Sequence, residues 1–122
     1  MTTDSTLIES ELLGRFTASL FQSAGVSDSE ASLIASSLVD ANLCGHESHG
    51  VVRVSEYIAL LRSGSLKPGV DLKVISETPA LLVCDALSGF GQIQMRRVID
   101  KLIPKAESVG LACGTVRNCG HV

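Results

Sequence analysis

Apolar residues recur at helical spacing through the first half of the chain, and the period then changes. Ile8, Leu12, Phe16 and Leu20 lie four apart, which predicts a first helix from Thr6 or Ser10 to Ala24, with Gly25 suited to a left-handed cap. Ser27 and Glu30 have the spacing of a capping box. The helix they open carries Ala31, Ile34, Leu38 and Ala41 on one face and stops at Gly45. A third helix, from about Gly50 to Ser63, is expected to bury Val54, Tyr57, Ile58 and Leu61, with Gly64 ending it and Pro68-Gly69 forming a turn. Val70, Leu72 and Val74 then alternate with Asp71 and Lys73, the pattern of a half-buried strand. After the turn at Thr78-Pro79 comes a short apolar strand, Ala80 to Cys84. Gly89-Phe90-Gly91 leads into a helix from Gln92 to Val109, with Val98, Leu102 and Ala106 on one face. Pro104 lies inside it and predicts a kink or break. Leu111 to Val116 reads as a third strand. The result is an α+β chain of three helices followed by β-β-α-β, its sheet incomplete. Residues 1–68 form a helical part and residues 69–122 the start of an α/β part.

Composition narrows the function. Apolar residues make up 45% of the 122, enough for a packed core. The net charge of −3 without a basic run gives nucleic-acid binding no electrostatic support. No apolar run approaches a membrane span, and the acidic start (Asp4, Glu9, Glu11) lacks the basic region of a secretion signal. Cys44, Cys84, Cys113 and Cys119 form no C-x-x-C pair, so a reduced, cytoplasmic setting is expected.

Candidate chemistry concentrates between Cys44 and Arg53, where His46, Glu47, Ser48, His49 and Arg53 fall within ten residues. If a helix begins near Gly50, His49 and Arg53 project to nearly one side. An imidazole can donate and accept a proton near neutral pH, and a guanidinium can hold a carboxylate through paired donors. Together they suit a substrate bearing both a carboxylate and a reducible carbonyl. The alternative is a helix-capping His49 beside a solvated Arg53. Ser48 reads as an N-cap, and His46 and Glu47 as loop residues. Gly89-Phe90-Gly91 lies between a strand and a helix, as a dinucleotide-binding turn does. Gln94 stands where a third glycine belongs, so a glycine-rich turn with Phe90 in the core is favoured. The cysteines and histidines lack zinc-ligand spacing, and no metal site is expected. Asn118 and His121 follow the last strand, a common place for site residues.

Three blocks resemble the malate/L-lactate (2-hydroxycarboxylate) dehydrogenase family, whose nucleotide-binding fold is not a Rossmann fold. Ser48-His49-Gly50-Val51-Val52-Arg53 resembles its S-H-G-x-x-R region. Asp85 to Gln92, with G-x-G-Q, resembles its turn before the next helix, and Asn118-Cys119-Gly120-His121 its N-x-x-H segment. The resemblance implies a 2-hydroxy/2-oxo acid oxidoreductase using NAD or NADP, homodimeric when intact, with cyclic imino acids as possible substrates. It makes His49 the acid/base residue and Arg53 a substrate-carboxylate contact, with Ser48 and His121 also on the substrate side. Asn118 and His121 would lie beside the nicotinamide. Because members are much longer, the chain reads as an amino-terminal fragment, expected to be inactive alone and to associate through an unpaired strand edge. A non-catalytic helical interaction module and a small zinc-binding protein are the competing readings.

Overall fold

The computed structural model describes residues 6–121. Among them are four α-helices and three strands in the order α1 (Ser10–Ser23), α2 (Asp28–Leu43), α3 (Val54–Ser63), β1 (Lys73–Glu77), β2 (Leu81–Asp85), α4 (Gly91–Val109) and β3 (Cys113–Arg117). This is the α+β order expected from the hydrophobic pattern. The strands form one mixed sheet in the order β1-β2-β3, with β1 antiparallel and β3 parallel to β2. The parallel pair is joined through α4, as a crossover connection requires.

Local signals place most boundaries. Ser27 caps α2 by accepting from the Glu30 amide. Gly25, Gly64 and Gly110 all adopt the left-handed backbone that ends a helix (φ +92°, +75° and +88°). The Glu30 carboxylate, however, does not turn back on its own helix. It accepts from the Gly69 amide at 2.9 Å, tying the turn before the sheet to α2.

Three expectations are corrected. The first strand starts at Lys73 rather than Val70, and every residue of β1 is exposed. The Val70 carbonyl is taken by Gln94 Nε2 (2.8 Å) and Arg97 Nη1 (2.6 Å), so this stretch is pinned to α4 instead of entering the sheet. An irregularity between Val74 and Ser76 then breaks the alternation. Second, α4 runs unbroken through Pro104. Pro104 is exposed, so the carbonyl that loses its helical partner there lies where water can serve it. Third, the helix expected from Gly50 is divided. Val51–Arg53 is a 3₁₀ turn, and the α-helix starts at Val54.

Two apolar clusters hold the molecule together. The larger joins Phe21 of α1, Ile34 and Leu38 of α2, Tyr57 of α3 and Leu66 to Phe90 and Ile93 at the start of α4. Its centre is aromatic: Phe21 and Phe90 meet edge to face at 6.0 Å, and Tyr57 lies 6.0 Å from Phe90 and 6.3 Å from Phe21. The smaller cluster seats Leu82 and Cys84 of β2 against Val98, with Leu72, Leu102 and Val116 around them. The stripe that marks α1 in the sequence faces outward: Leu12 is 53% and Phe16 60% exposed, while Thr17 and Phe21 point inward.

Phe90→Ala should therefore lower stability by about 3–5 kcal/mol. Phe16→Ala should stay within about 0.5 kcal/mol of the parent. Chemical denaturation of both variants measures this, and equal losses would place Phe90 outside the core.

Candidate functional site

The Cys44–Arg53 segment reverses direction between α2 and α3 through two short 3₁₀ turns, Glu47–His49 and Val51–Arg53, with Gly50 extended between them. Asn42 organises this corner, its Oδ1 accepting from the Val51 amide at 2.8 Å. The Asn42 side chain fills the space where a Cβ on Gly50 would stand, so any larger residue at 50 has to displace Asn42 from its bond to Val51. Ser48 is not a helix cap. Its hydroxyl pairs with His49 Nδ1 at 3.0 Å, inside the first 3₁₀ turn. His46 and Glu47 belong to the same exposed turn.

Arg53 does not stand beside His49 by helical spacing. Its Nε donates to the Ser48 carbonyl at 2.6 Å and its Nη1 to Glu56 Oε2 at 2.7 Å. Two contacts thus fix the plane of the guanidinium and tie it back across the corner that carries His49.

The other half of the site arrives from the far end of the chain. His121 brings its ring to 5.0 Å from that of His49, centroid to centroid, at 39°. The Tyr57 hydroxyl lies 3.1 Å from His121 Nδ1 and accepts from Gln92 Nε2 at 3.0 Å. Burial lowers the pKa of His121 from its ordinary value, and the charge of Arg53 and the nearby His49 act in the same direction. Burial pushes the Tyr57 phenol up, against the Gln92 hydrogen bond and Arg53.

What places His121 there is the packing of backbone on backbone. The Gly120 amide donates to the Gly89 carbonyl at 3.0 Å, and a Cβ on Gly91 would run into the carbonyls of His121 and Gly120. Gly89-Phe90-Gly91 is thus the expected core-packed turn, with Phe90 only 2% exposed. The glycines admit the chain's own residues 120–121.

Asp85, at the end of β2, secures the approach to that segment. Its carboxylate accepts from the Leu87 amide (2.9 Å), Arg117 Nε (2.9 Å) and Asn118 Nδ2 (3.1 Å to each oxygen). Beyond β2 and β3 the two segments remain paired, Ala86 donating to the Arg117 carbonyl and Ser88 to that of Asn118. Leu87, Ser88 and Asn118 are held there at positive φ (52°, 64° and 52°), a conformation costing on the order of 1–3 kcal/mol at each non-glycine residue. The hydrogen bond donated by the Leu87 backbone N–H, then that from the Asn118 side chain, holds the Asp85 carboxyl below its ordinary pKa. Asn118 therefore spends its side-chain donor on Asp85 rather than beside the two histidines.

Tyr57 carried no site signal in the sequence, and Asp85 and Gln92 entered only as the ends of the family-like turn. Tyr57 read as core, which its ring is. The available clue was its phenol, since a buried hydroxyl needs a partner. Cys84 is buried, Cys119 half-buried, and Cys44 and Cys113 exposed. Among the described residues, no three His, Cys, Asp or Glu side chains gather as a metal site would require. None of the described helices is long and apolar enough to cross a membrane.

The Asp85 clamp has a defined pH signature. Its carboxyl is lowered by folding, so its contribution is complete above the unfolded value of about 3.9 and is lost as pH falls through the lower folded value. Asp85→Asn should flatten the acid side of the stability profile, read as denaturation midpoints from about pH 6 to about pH 2. Parallel profiles for the two proteins would remove Asp85 from the acid transition.

The sequence and the fold are similar to those of known proteins. The sequence matches the malate/L-lactate dehydrogenase family over residues 8–122. It is 37% identical over 97 residues to L-sulfolactate dehydrogenase of Methanocaldococcus jannaschii, covering 80% of this chain and 28% of that protein. To malate dehydrogenase of Pyrococcus abyssi it is 32% identical over 114 residues, covering 93% and 32%. The solved malate dehydrogenase of Pyrococcus horikoshii superposes with a TM-score of 0.87 at 30% identity, over 99% of this chain and 36% of that one. The chain thus spans about a third of the length of the proteins it matches. On the match of nearly all its residues, the chain belongs to the malate/L-lactate dehydrogenase family.

Proposed function

We propose that this chain supplies the substrate-side acid/base and carboxylate-binding groups of an oxidoreductase that interconverts 2-hydroxy acids and 2-oxo acids. The observation that carries the reading is the meeting of His49 and Arg53, from the corner between α2 and α3, with His121, from the segment after β3. Family membership supplies the reaction, and the relatives named above are a sulfolactate and a malate dehydrogenase.

In this reading His49 exchanges the proton at the substrate oxygen while Ser48, on Nδ1, steadies the ring. Arg53 binds the substrate carboxylate, which exchanges with Glu56 at Nη1. The nicotinamide of NAD or NADP supplies or accepts the hydride. Asn118 and His121 are proposed on the nicotinamide side, as the family resemblance implies. The Asn118 amide donor is already on Asp85 and its backbone carbonyl accepts from Ser88, which leaves its side-chain carbonyl for that purpose. The turn at residues 89–91 does not fit a cofactor pyrophosphate, since the backbone of residues 120–121 already occupies its open side. A cytoplasmic, homodimeric enzyme is part of the same proposal. The outward stripe of Leu12 and Phe16 also favours a second reading, a helical module that binds another protein surface.

In a form of the protein that turns over 2-oxo acids, His49→Ala should lower kcat by about a hundredfold or more. Arg53→Ala should chiefly raise KM for the acid, with Arg53→Lys restoring part of the loss because the planar fork is gone. Steady-state kinetics across pH decides both; normal turnover without His49 removes it from the chemistry, and an unchanged KM without Arg53 assigns that residue to the surface.

The 122 residues alone should bind neither NADH nor NADPH and show no turnover, because hydride transfer needs the cofactor held about 3–3.5 Å from the substrate carbon. Fluorescence titration with each nucleotide tests this. Micromolar binding would place the nucleotide site within this chain.

A further inference from the structure

We propose that Gln92 and Tyr57 are positioning residues that hold His121 as a neutral imidazole with its proton on Nε2, dividing the work of the two histidines. His121 then acts as a hydrogen-bond donor, and His49 remains the residue that exchanges a proton.

The argument follows the donors along the chain of contacts. A Gln side-chain nitrogen can only donate, so Gln92 Nε2 at 3.0 Å uses the Tyr57 oxygen as an acceptor. The phenol still has one proton to give, and His121 Nδ1 lies 3.1 Å away. If Tyr57 donates there, Nδ1 must be unprotonated, and a neutral ring then carries its proton on Nε2. Turning the Gln92 amide around would reverse every bond in the series. It would also put the amide N–H groups where Oε1 now lies buried without a partner, and an orphaned N–H is the rarer and costlier outcome.

The surroundings favour the same state. Tyr57 is 2% exposed and packed against Phe21 and Phe90, so its oxygen is held between Gln92 and His121. Of the charged and titratable groups around His121, Arg53 and His49 oppose a positive imidazole, and Glu56 favours one. Burial adds to the first pair, and the net direction is towards the neutral ring. A neutral Nε2–H on an exposed side chain can polarise a substrate carbonyl without taking its proton. That last role rests on the dehydrogenase reading; the tautomer itself does not.

The test is nitrogen NMR of the ¹⁵N-labelled 122-residue chain. It contains three histidines, so His46→Gln and His49→Gln variants assign His121. The expected spectrum shows His121 Nδ1 as an unprotonated, hydrogen-bonded nitrogen and Nε2 as a protonated one. Tyr57→Phe, with its amide spectrum preserved, should shift Nδ1 to the position of an unprotonated nitrogen without a donor. A protonated Nδ1 in the parent chain overturns the proposal, and so does an Nδ1 signal unmoved by Tyr57→Phe. The parent spectrum decides the tautomer even if that variant does not fold. Kinetics of His49→Ala bear only on the reaction, so failure of the dehydrogenase reading and failure of the tautomer are told apart.

Discussion

Tyr57 is where the core and the site become one object. Its ring fills the centre of the larger apolar cluster between Phe21 and Phe90. Its hydroxyl, at the edge of that cluster, meets His121 and Gln92. A buried phenol without a partner carries the desolvation penalty of its hydroxyl, on the order of 1–3 kcal/mol. Here the residues that relieve it come from α4 and from the segment after β3. Packing three aromatic rings thereby draws the end of the chain to the corner that carries Ser48, His49 and Arg53.

That meeting also depends on two features of the loops around the sheet. Gly91 has no side chain, so the backbone of residues 120–121 can lie directly on the start of α4. Asp85 collects the Leu87 amide, Arg117 and Asn118 on one carboxylate and holds three residues in left-handed backbone. Neither feature touches the imidazole of either histidine through a side chain; Gly91 meets His121 only at its backbone. Both decide where His121 stands, and the contact with His49 follows from them. A site assembled this way responds to substitutions in its supporting loops as well as in its own side chains.

The outer faces are as informative as the core. The α1 stripe is exposed although it repeats as regularly as any buried face. Residues Leu81 and Val83 of β2 are exposed opposite the side that α4 covers. Helical periodicity reports that a face is apolar and says nothing of which neighbour covers it.

What the sequence determined by itself was mostly local. Helix ends marked by Gly25, Gly64 and Gly110 follow from backbone sterics, and the Ser27 cap follows from hydrogen bonding within a few residues. The order of helices and strands and the burial of Phe90 were legible for the same reason. Long-range competition decided the rest. Val70 left the strand pattern because Gln94 and Arg97 claimed its carbonyl, and Ser48 ceased to be a cap because Asn42 took over the corner. Arg53 reaches the site through the Ser48 carbonyl, a bond that no helical spacing encodes. The pairing of His49 with His121, and the Tyr57–Gln92 contact behind it, exist only once α3, α4 and the segment after β3 are packed together. Their partners lie far apart in the chain, and one-dimensional spacing holds no record of that distance.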